Sequence, residues 1–191
     1  MRVALVDHGM GNLRSVAKAL EAAGASVVLT GDPIEADACD GLCVPGQGIF
    51  DVCMKALRSS GFDHLIRSWT NAERPFFGIC LGMQALFEWS EEGTEPGLGI
   101  LRGHAARIPG TVTVPHIGWN TVSGTAGETY YYFDHSFAVH PADESIVNGW
   151  TEHGVRFAAA VHAGPVTAVQ FHPEKSGRDG IALLRQWLER A

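Results

Sequence analysis

Residues 75–90, Pro-Phe-Phe-Gly-Ile-Cys-Leu-Gly-Met-Gln-Ala-Leu-Phe-Glu-Trp-Ser, decide how this chain is read. The apolar run Phe76, Phe77 and Ile79 predicts a buried strand of a parallel sheet. Leu81 to Trp89 then predicts a helix, with Leu81, Ala85 and Trp89 along one stripe and Met83, Leu86 and Phe87 beside it. Between them Gly78 and Gly82 bracket Cys80 as Gly-x-Cys-x-Gly. That is the strand–turn–helix layout of a nucleophile elbow, with a thiol in place of the hydroxyl. A side chain beside so sharp a turn would have no room, which is what the glycines supply. The positive end of the following helix would favour a thiolate there. The same five residues also suit a buried structural cysteine between packing glycines, so its partners have to decide.

The whole sequence bounds the answer. Its 191 residues suit one domain, burying roughly two-thirds of the unfolded surface. A content of 46% hydrophobic and 18% charged residues describes a folded unit rather than a disordered one. The formal charge of −7 and the lack of any Lys/Arg-rich run argue against nucleic-acid binding. The opening Met-Arg-Val-Ala-Leu-Val-Asp reads as a strand meeting a turn, not as a signal peptide. No apolar stretch approaches the length of a membrane span. Cys39, Cys43, Cys53 and Cys80 lack zinc or CxxC spacing, so free thiols in a reducing cytoplasm are expected.

Outward from the elbow, Arg2–Asp7 predicts a strand, followed by the loop His8-Gly-Met-Gly-Asn12. Asn12 suits the cap of a helix lined by Leu13, Val16, Ala17 and Leu20 and ended by Gly24. Val27–Leu29 is a second strand, and this β-α-β opening predicts a doubly wound fold with its loops at the carboxyl ends of the strands. The loop glycines do not form Gly-x-Gly-x-x-Gly, which excludes a dinucleotide site. Asp40–Val44 predicts a strand running into Pro45-Gly-Gln-Gly48. Backbone N–H groups of such a loop suit an anion or a developing oxyanion, although an ordinary tight turn has the same composition. Ile49–Arg58 and Asp63–Trp69 read as helices. Glu88, Glu91 and Glu92 form an acidic group that is ordinarily solvated surface. From about Leu98 the pattern becomes short strands: His104–Ile108, Thr111–Val114, Tyr130–Val139, Val155–Val161 and Val166–Phe171. Gly180–Arg190 is an amphipathic helix. The expectation is one α/β unit over 1–191, its mostly parallel central sheet flanked by helices, with additional strands in the second half.

A thiol nucleophile needs a base. Gln170-Phe-His-Pro-Glu174 places His172 and Glu174 two residues apart, and Pro173 keeps His172 out of helical geometry. In an extended segment the two point to one side, so the carboxylate can orient the imidazole toward a nucleophile. A surface His-Pro-Glu turn is the alternative. Five other histidines (His64, His104, His140, His153, His162) are scattered and read as surface or satisfied side chains.

With these motifs in view, Gly78-Ile-Cys-Leu-Gly-Met-Gln84 and Gln170-Phe-His-Pro-Glu-Lys-Ser176 resemble the class I (triad) glutamine amidotransferases. Val114-Pro-His-Ile-Gly-Trp-Asn120 and Tyr130-Tyr-Tyr-Phe-Asp-His-Ser-Phe137 narrow the resemblance to the glutaminase subunits of imidazole glycerol phosphate synthase, from residue 1 to 190. Three positions depart or stand out: Asp134 where an apolar residue is usual, Phe137 where Tyr is common, and Gln47, for which the sequence suggests no role.

The resemblance implies hydrolysis of L-glutamine to glutamate and ammonia through a thioester, with Cys80, His172 and Glu174 as the catalytic triad and no metal or organic cofactor. It implies an oxyanion hole at Leu81 and the Gly46–Gln47–Gly48 loop, with Gln84, Glu92, Ser136 and Phe137 as substrate-binding candidates. It also implies a heterodimer with a (β/α)8-barrel cyclase subunit that uses the ammonia to make imidazole glycerol phosphate. Asn12, Trp119, Asn120, Tyr132 and Lys175 match positions near that interface. A paralogous glutaminase subunit supplying a nucleotide-sugar-modifying partner would keep the same chemistry. A thiol hydrolase on a related fold would have no use for the Gly-Trp-Asn and His-Pro-Glu-Lys-Ser stretches. A silent binding module would not need Cys80, His172 and Glu174 together.

Overall fold

The computed structural model describes residues 1–124 and 127–190. In chain order the first half comprises β1 (Arg2–Val6), α1 (Leu13–Ala23), β2 (Ser26–Thr30), α2 (Pro33–Asp37), β3 (Gly41–Val44), α3 (Phe50–Ser60), α4 (Phe62–Asn71), β4 (Phe76–Ile79) and α5 (Leu81–Gln84). The second half comprises β5 (Trp89–Ser90), β6 (Gly103–Arg107), β7 (His116–Gly124), β8 (Gly127–His135), β9 (Phe137–Pro141), β10 (Val147–His153), β11 (Val155–Ala163), β12 (Val166–Val169) and α6 (Gly177–Arg190).

The strands join in one sheet with the order β2-β1-β3-β4-β12-β11-β10-β7-β8, and β5, β6 and β9 lie off this path. From β2 to β12 every neighbouring pair is parallel. Beyond β12 the path is antiparallel.

The parallel section is buried on both faces, which is why its strands read as continuous apolar runs. Ala4 and Val6 of β1, Leu42 and Val44 of β3 and Phe76 of β4 pack with Phe50, Met54, Phe62, Ile66 and Trp69 of α3 and α4. The alternate residues Val3, Leu5, Cys43, Phe77 and Ile79 pack with Val16 and Leu20 of α1 and Leu184 and Trp187 of α6. Helices therefore cover both faces, and the loops after β1, β3, β4 and β12 share one edge. Asn12 accepts a hydrogen bond from Ser15 N, and Gly24 ends α1 in the left-handed region at φ 111°, so the sequence-based limits of that helix hold.

Several local expectations are corrected. The helix after Cys80 stops at Gln84 rather than Trp89. The carbonyls of Ala85, Leu86 and Phe87 instead accept from Leu98, Ile100, Leu101 and Gly99. A returning loop thus takes acceptors that a longer helix would use, overriding the helical pattern. Trp89 and Ser90 pair with β6. Thr111–Val114 is not a strand, and Tyr130–Val139 divides at Ser136 into β8 and β9.

Candidate active site

Cys80 sits at the carboxyl end of β4 with φ 54° and ψ −107°, a conformation that a non-glycine residue adopts only when its surroundings enforce it. Its N–H donates to Val169 O of β12 at 2.7 Å. The flanking glycines are required by close approach. A Cβ on Gly82 would lie 2.0 Å from Val44 O, and one on Gly78 would lie 3.0 Å from Gly82 O. The strained turn is thus pinned between the ends of β3 and β12, with Cys80 96% buried.

His172 follows β12 in extended geometry, and Pro173–Lys175 form a single 3-10 turn. That turn, rather than a continuing strand, brings Glu174 back under the ring, with Nδ1 2.8 Å from Oε1. Both side chains are almost fully buried. Nε2 of His172 has no hydrogen-bond partner among the described residues, so it is the ring nitrogen left for the cysteine. Burial alone would favour neutral imidazole. The nearby Cys80 and the hydrogen-bonded Glu174 outweigh it and push the His172 pKa up to about 10. The environment therefore favours imidazolium. The other Glu174 oxygen, Oε2, is also buried and unpartnered. Glu174 lines a cavity of about 10 Å³, close to the room one water needs, with Gly11, Pro45 and Gly46.

A chain of buried amides braces the sulfur. Gln170 Nε2 donates to Cys80 Sγ at 3.5 Å, and Gln84 Nε2 donates to Gln170 Oε1 at 3.2 Å and to Phe137 O at 3.0 Å. Gln84 was expected to hold substrate, but both its amide protons are used internally, and it braces Gln170 instead. Gln170 carried no role legible in the sequence, because its function lies in contacts to Cys80 and Gln84, both more than eighty residues away. Phe137 contributes its carbonyl to this bracket and is 92% buried, while the Ser136 carbonyl accepts from Ile108 N. Glu92 accepts from Phe50 N at 2.9 Å, capping α3 directly after the glycine loop. Burial raises its pKa, and one of its oxygens is already occupied there.

The loop after β3 does not present a free pair of donors. Leu81 N donates to Gly46 O at 3.4 Å, so the carbonyl of the Gly46–Gln47 peptide faces the donor that follows the nucleophile. The expected oxyanion hole at Gly46, Gln47, Gly48 and Leu81 is therefore not assembled in this arrangement. Gly46 is buried, and a Cβ there would lie 2.7 Å from Leu81 Cβ, so glycine is needed for the contact. His8 Nε2 holds the neighbouring Pro45 O at 2.6 Å, an anchor that the sequence did not reveal.

Among the described residues, no group of three or more His, Cys, Asp or Glu is disposed to hold a metal ion. A family model described as glutamine amidotransferase class-I matches residues 4–191. The chain belongs to the class I glutamine amidotransferases. Two curated relatives are imidazole glycerol phosphate synthase subunits HisH. That of Dechloromonas aromatica is 43% identical and the alignment covers 98% of this chain and 95% of that protein. That of Nocardia farcinica is 45% identical over 98% of this chain and 97% of that protein. A solved glutamine amidotransferase superposes with TM-score 0.81 at 22% identity, covering 98% of this chain and 97% of that one. The PurLQS structure from Thermotoga maritima superposes with TM-score 0.79 at 19% identity, covering 99% and 98%. These likenesses identify the amidotransferase fold.

Beside the site, the β7–β8 ladder presents a face to solvent. Ile117 and Trp119 are 58% and 57% exposed, and Tyr132 stands opposite Trp119 with an edge contact at 6.1 Å. Lys175 Nζ lies 5.5 Å above the Tyr132 ring. Asn12 is exposed at the start of α1. Asn120 departs from expectation: its Nδ2 approaches His116 Nε2 at 3.2 Å and donates to Glu152 O at 2.9 Å, so its amide faces inward. His153 is likewise not a scattered residue. It stacks on His116 at 4.1 Å, and His116 Nδ1 is 3.0 Å from His135 Nε2.

Proposed function

We propose that this class I amidotransferase is the glutaminase subunit of an imidazole glycerol phosphate synthase, acting as one domain over residues 1–191 with Cys80, His172 and Glu174 as its triad. The observation that carries the reading is the strained, buried Cys80 beside an imidazole whose far nitrogen is bound to Glu174 at 2.8 Å.

The sulfur forms a bond to the side-chain amide carbon of L-glutamine, and the carbonyl electrons move onto oxygen. His172 gives a proton to the departing ammonia as the carbon–nitrogen bond breaks, leaving a thioester. The imidazole then takes a proton from water, which attacks the thioester and releases glutamate. Glu174 holds the ring in the tautomer that keeps Nε2 toward sulfur. Gln170 and Gln84 keep the sulfur in place. The half-buried Glu92 carboxylate and the Ser136–Phe137 segment remain the binding candidates.

The tetrahedral oxyanion needs N–H donors where the Gly46 carbonyl now points. Rotation of the Gly46–Gln47 peptide would remove that carbonyl, free Leu81 N–H and turn the Gln47 N–H inward. Such a site is nearly idle until the loop moves, which suits an enzyme whose ammonia is wasted without an acceptor.

The acceptor is a cyclase subunit of (β/α)8-barrel form, in histidine biosynthesis in the cytoplasm, giving imidazole glycerol phosphate and aminoimidazole carboxamide ribonucleotide. Its docking face is the exposed Ile117 and Trp119 with the half-buried Tyr132 and Lys175, together with Asn12. The full-length similarity to HisH subunits supports this acceptor over a nucleotide-sugar-modifying partner. No helix among the described residues is long and apolar enough to cross a membrane. The test is glutamate release from glutamine by the chain alone, then with the cyclase subunit and its nucleotide. A low rate alone that rises in the mixture supports the reading. No glutamate from folded protein in either condition overturns it.

A further inference from the structure

Three side chains with no part in the bond-making steps meet over the glycine loop. Gln47 Nε2 donates to Asp134 Oδ2 at 3.2 Å, and Lys175 Nζ lies 3.3 Å from the same oxygen. They come from the loop after β3, from β8 and from the turn after His172, so the contact spans three separate parts of the fold. Asp134 is also close to the nucleophile, with its backbone carbonyl 3.9 Å from Cys80 Sγ. Gln47 and Asp134 are two of the positions at which the sequence stood out, and the structure pairs them across 87 residues.

Gln47 owns the N–H of the peptide whose carbonyl faces Leu81. Rotation of that peptide moves the Gln47 backbone, and the Gln47 side chain is tied to β8. An apolar residue at either position would offer neither the donor nor the acceptor. The ammonium of Lys175 fixes the Asp134 carboxylate in the orientation that receives Gln47.

Resting on the glutaminase reading, we propose that the Gln47–Asp134 hydrogen bond, steadied by Lys175, is a latch that holds the Gly46–Gln47 peptide with its carbonyl toward Leu81. Gln47 and Asp134 are then positioning residues that set the resting rate of the isolated subunit. Binding of glutamine does not pass through the latch, so it acts on kcat and leaves KM alone.

The test compares wild type with Asp134→Ala, Gln47→Ala and the double variant, as isolated chains and with the cyclase partner. Each single variant should raise the resting kcat about threefold to tenfold, the span that one net hydrogen bond supports, with KM for glutamine unchanged. The double variant should rise no further than the singles, because either one opens the latch. Unchanged or lower kcat in both singles, or effects that multiply in the double, overturns the latch. Amide hydrogen exchange at Leu81 reads it without turnover: its N–H loses the Gly46 acceptor when the latch opens, so exchange should quicken in Asp134→Ala, and equal exchange overturns the latch. A wild type that hydrolyses no glutamine even with the partner would overturn the glutaminase reading, and exchange would still decide the latch.

Discussion

The carbonyl oxygen of Gly46 lies 3.4 Å from the amide nitrogen of Leu81, the residue that follows the nucleophile. A transition state that places negative charge there meets a backbone dipole of the wrong sign. Correcting one donor of an oxyanion hole is worth about 10²–10³ in rate. Stimulation by the cyclase partner should therefore appear in kcat at about that size, with KM for glutamine nearly unchanged. Initial-rate kinetics with and without partner check this. Stimulation confined to KM would mean that the loop already serves catalysis as it stands.

Cys80→Ala should abolish glutamine hydrolysis while the complex still makes its product from added ammonia. The substitution shortens a side chain that lies in a pinned turn without changing the backbone contacts of Gly78 and Gly82. Product formation from ammonium salt, measured beside glutamate release, separates the two roles. Loss of both would make Cys80 a structural residue.

Glu174→Gln should lower kcat by about 10²-fold or more, since the amide does not stabilise an imidazolium as the carboxylate does. It should also bring the His172 pKa down from its raised position, because Glu174 is one of the groups that offset burial there. Imidazole resonances followed against pH in the two proteins give the direction. An unmoved titration would mean that Cys80 alone sustains the charge.

The parallel half of the sheet was legible because both its faces are buried, which leaves unbroken apolar runs such as Val3–Val6 and Phe76–Ile79. The elbow glycines and the His172–Glu174 pair were legible because sharp turns and acid–base pairs use few residue types. The rest depended on distant contacts. Nothing near Gln84 indicates that residues 97–101 will take the carbonyls beyond it and end the helix. Gln47 and Asp134 carried no visible purpose because their meaning lies in each other. The same holds for Asn120, whose motif points to the surface while its amide faces His116.

Trp119→Ala should weaken association with the cyclase partner by about 30-fold in Kd, the effect of removing an aromatic anchor worth about 2 kcal/mol. Trp119 is exposed and packs edge-on to Tyr132, so its loss leaves the buried core intact. Titration calorimetry gives Kd, and the unfolding midpoint of the isolated chain should stay where it was. An unchanged Kd would remove the β7–β8 face from the interface.

The buried histidines set the acid limit of the fold. His116 stacks on Phe133 and His153 and approaches His135 Nε2 at 3.0 Å, while His135 Nδ1 meets Phe137 O at 2.8 Å. Burial, and then the neighbouring His153, lowers the His116 pKa to about 4. Burial also dominates for His135, lowering it to about 3 despite the Phe137 carbonyl. In the unfolded chain both would titrate near 6.5. As pH falls below that value the unfolded state takes up protons that the folded state refuses, so stability declines until the folded pKa values are reached. His172 has the opposite sign: its contribution is complete below about 6.5 and is lost as pH rises through about 10. The urea midpoint should therefore fall between about pH 7 and about pH 5, above the range where ordinary carboxylates titrate. His116→Phe, which preserves a ring between Phe133 and His153, should show a smaller fall over the same interval. A wild-type midpoint that stays level from about pH 7 to about pH 5 would mean that these rings accept protons without leaving the folded state.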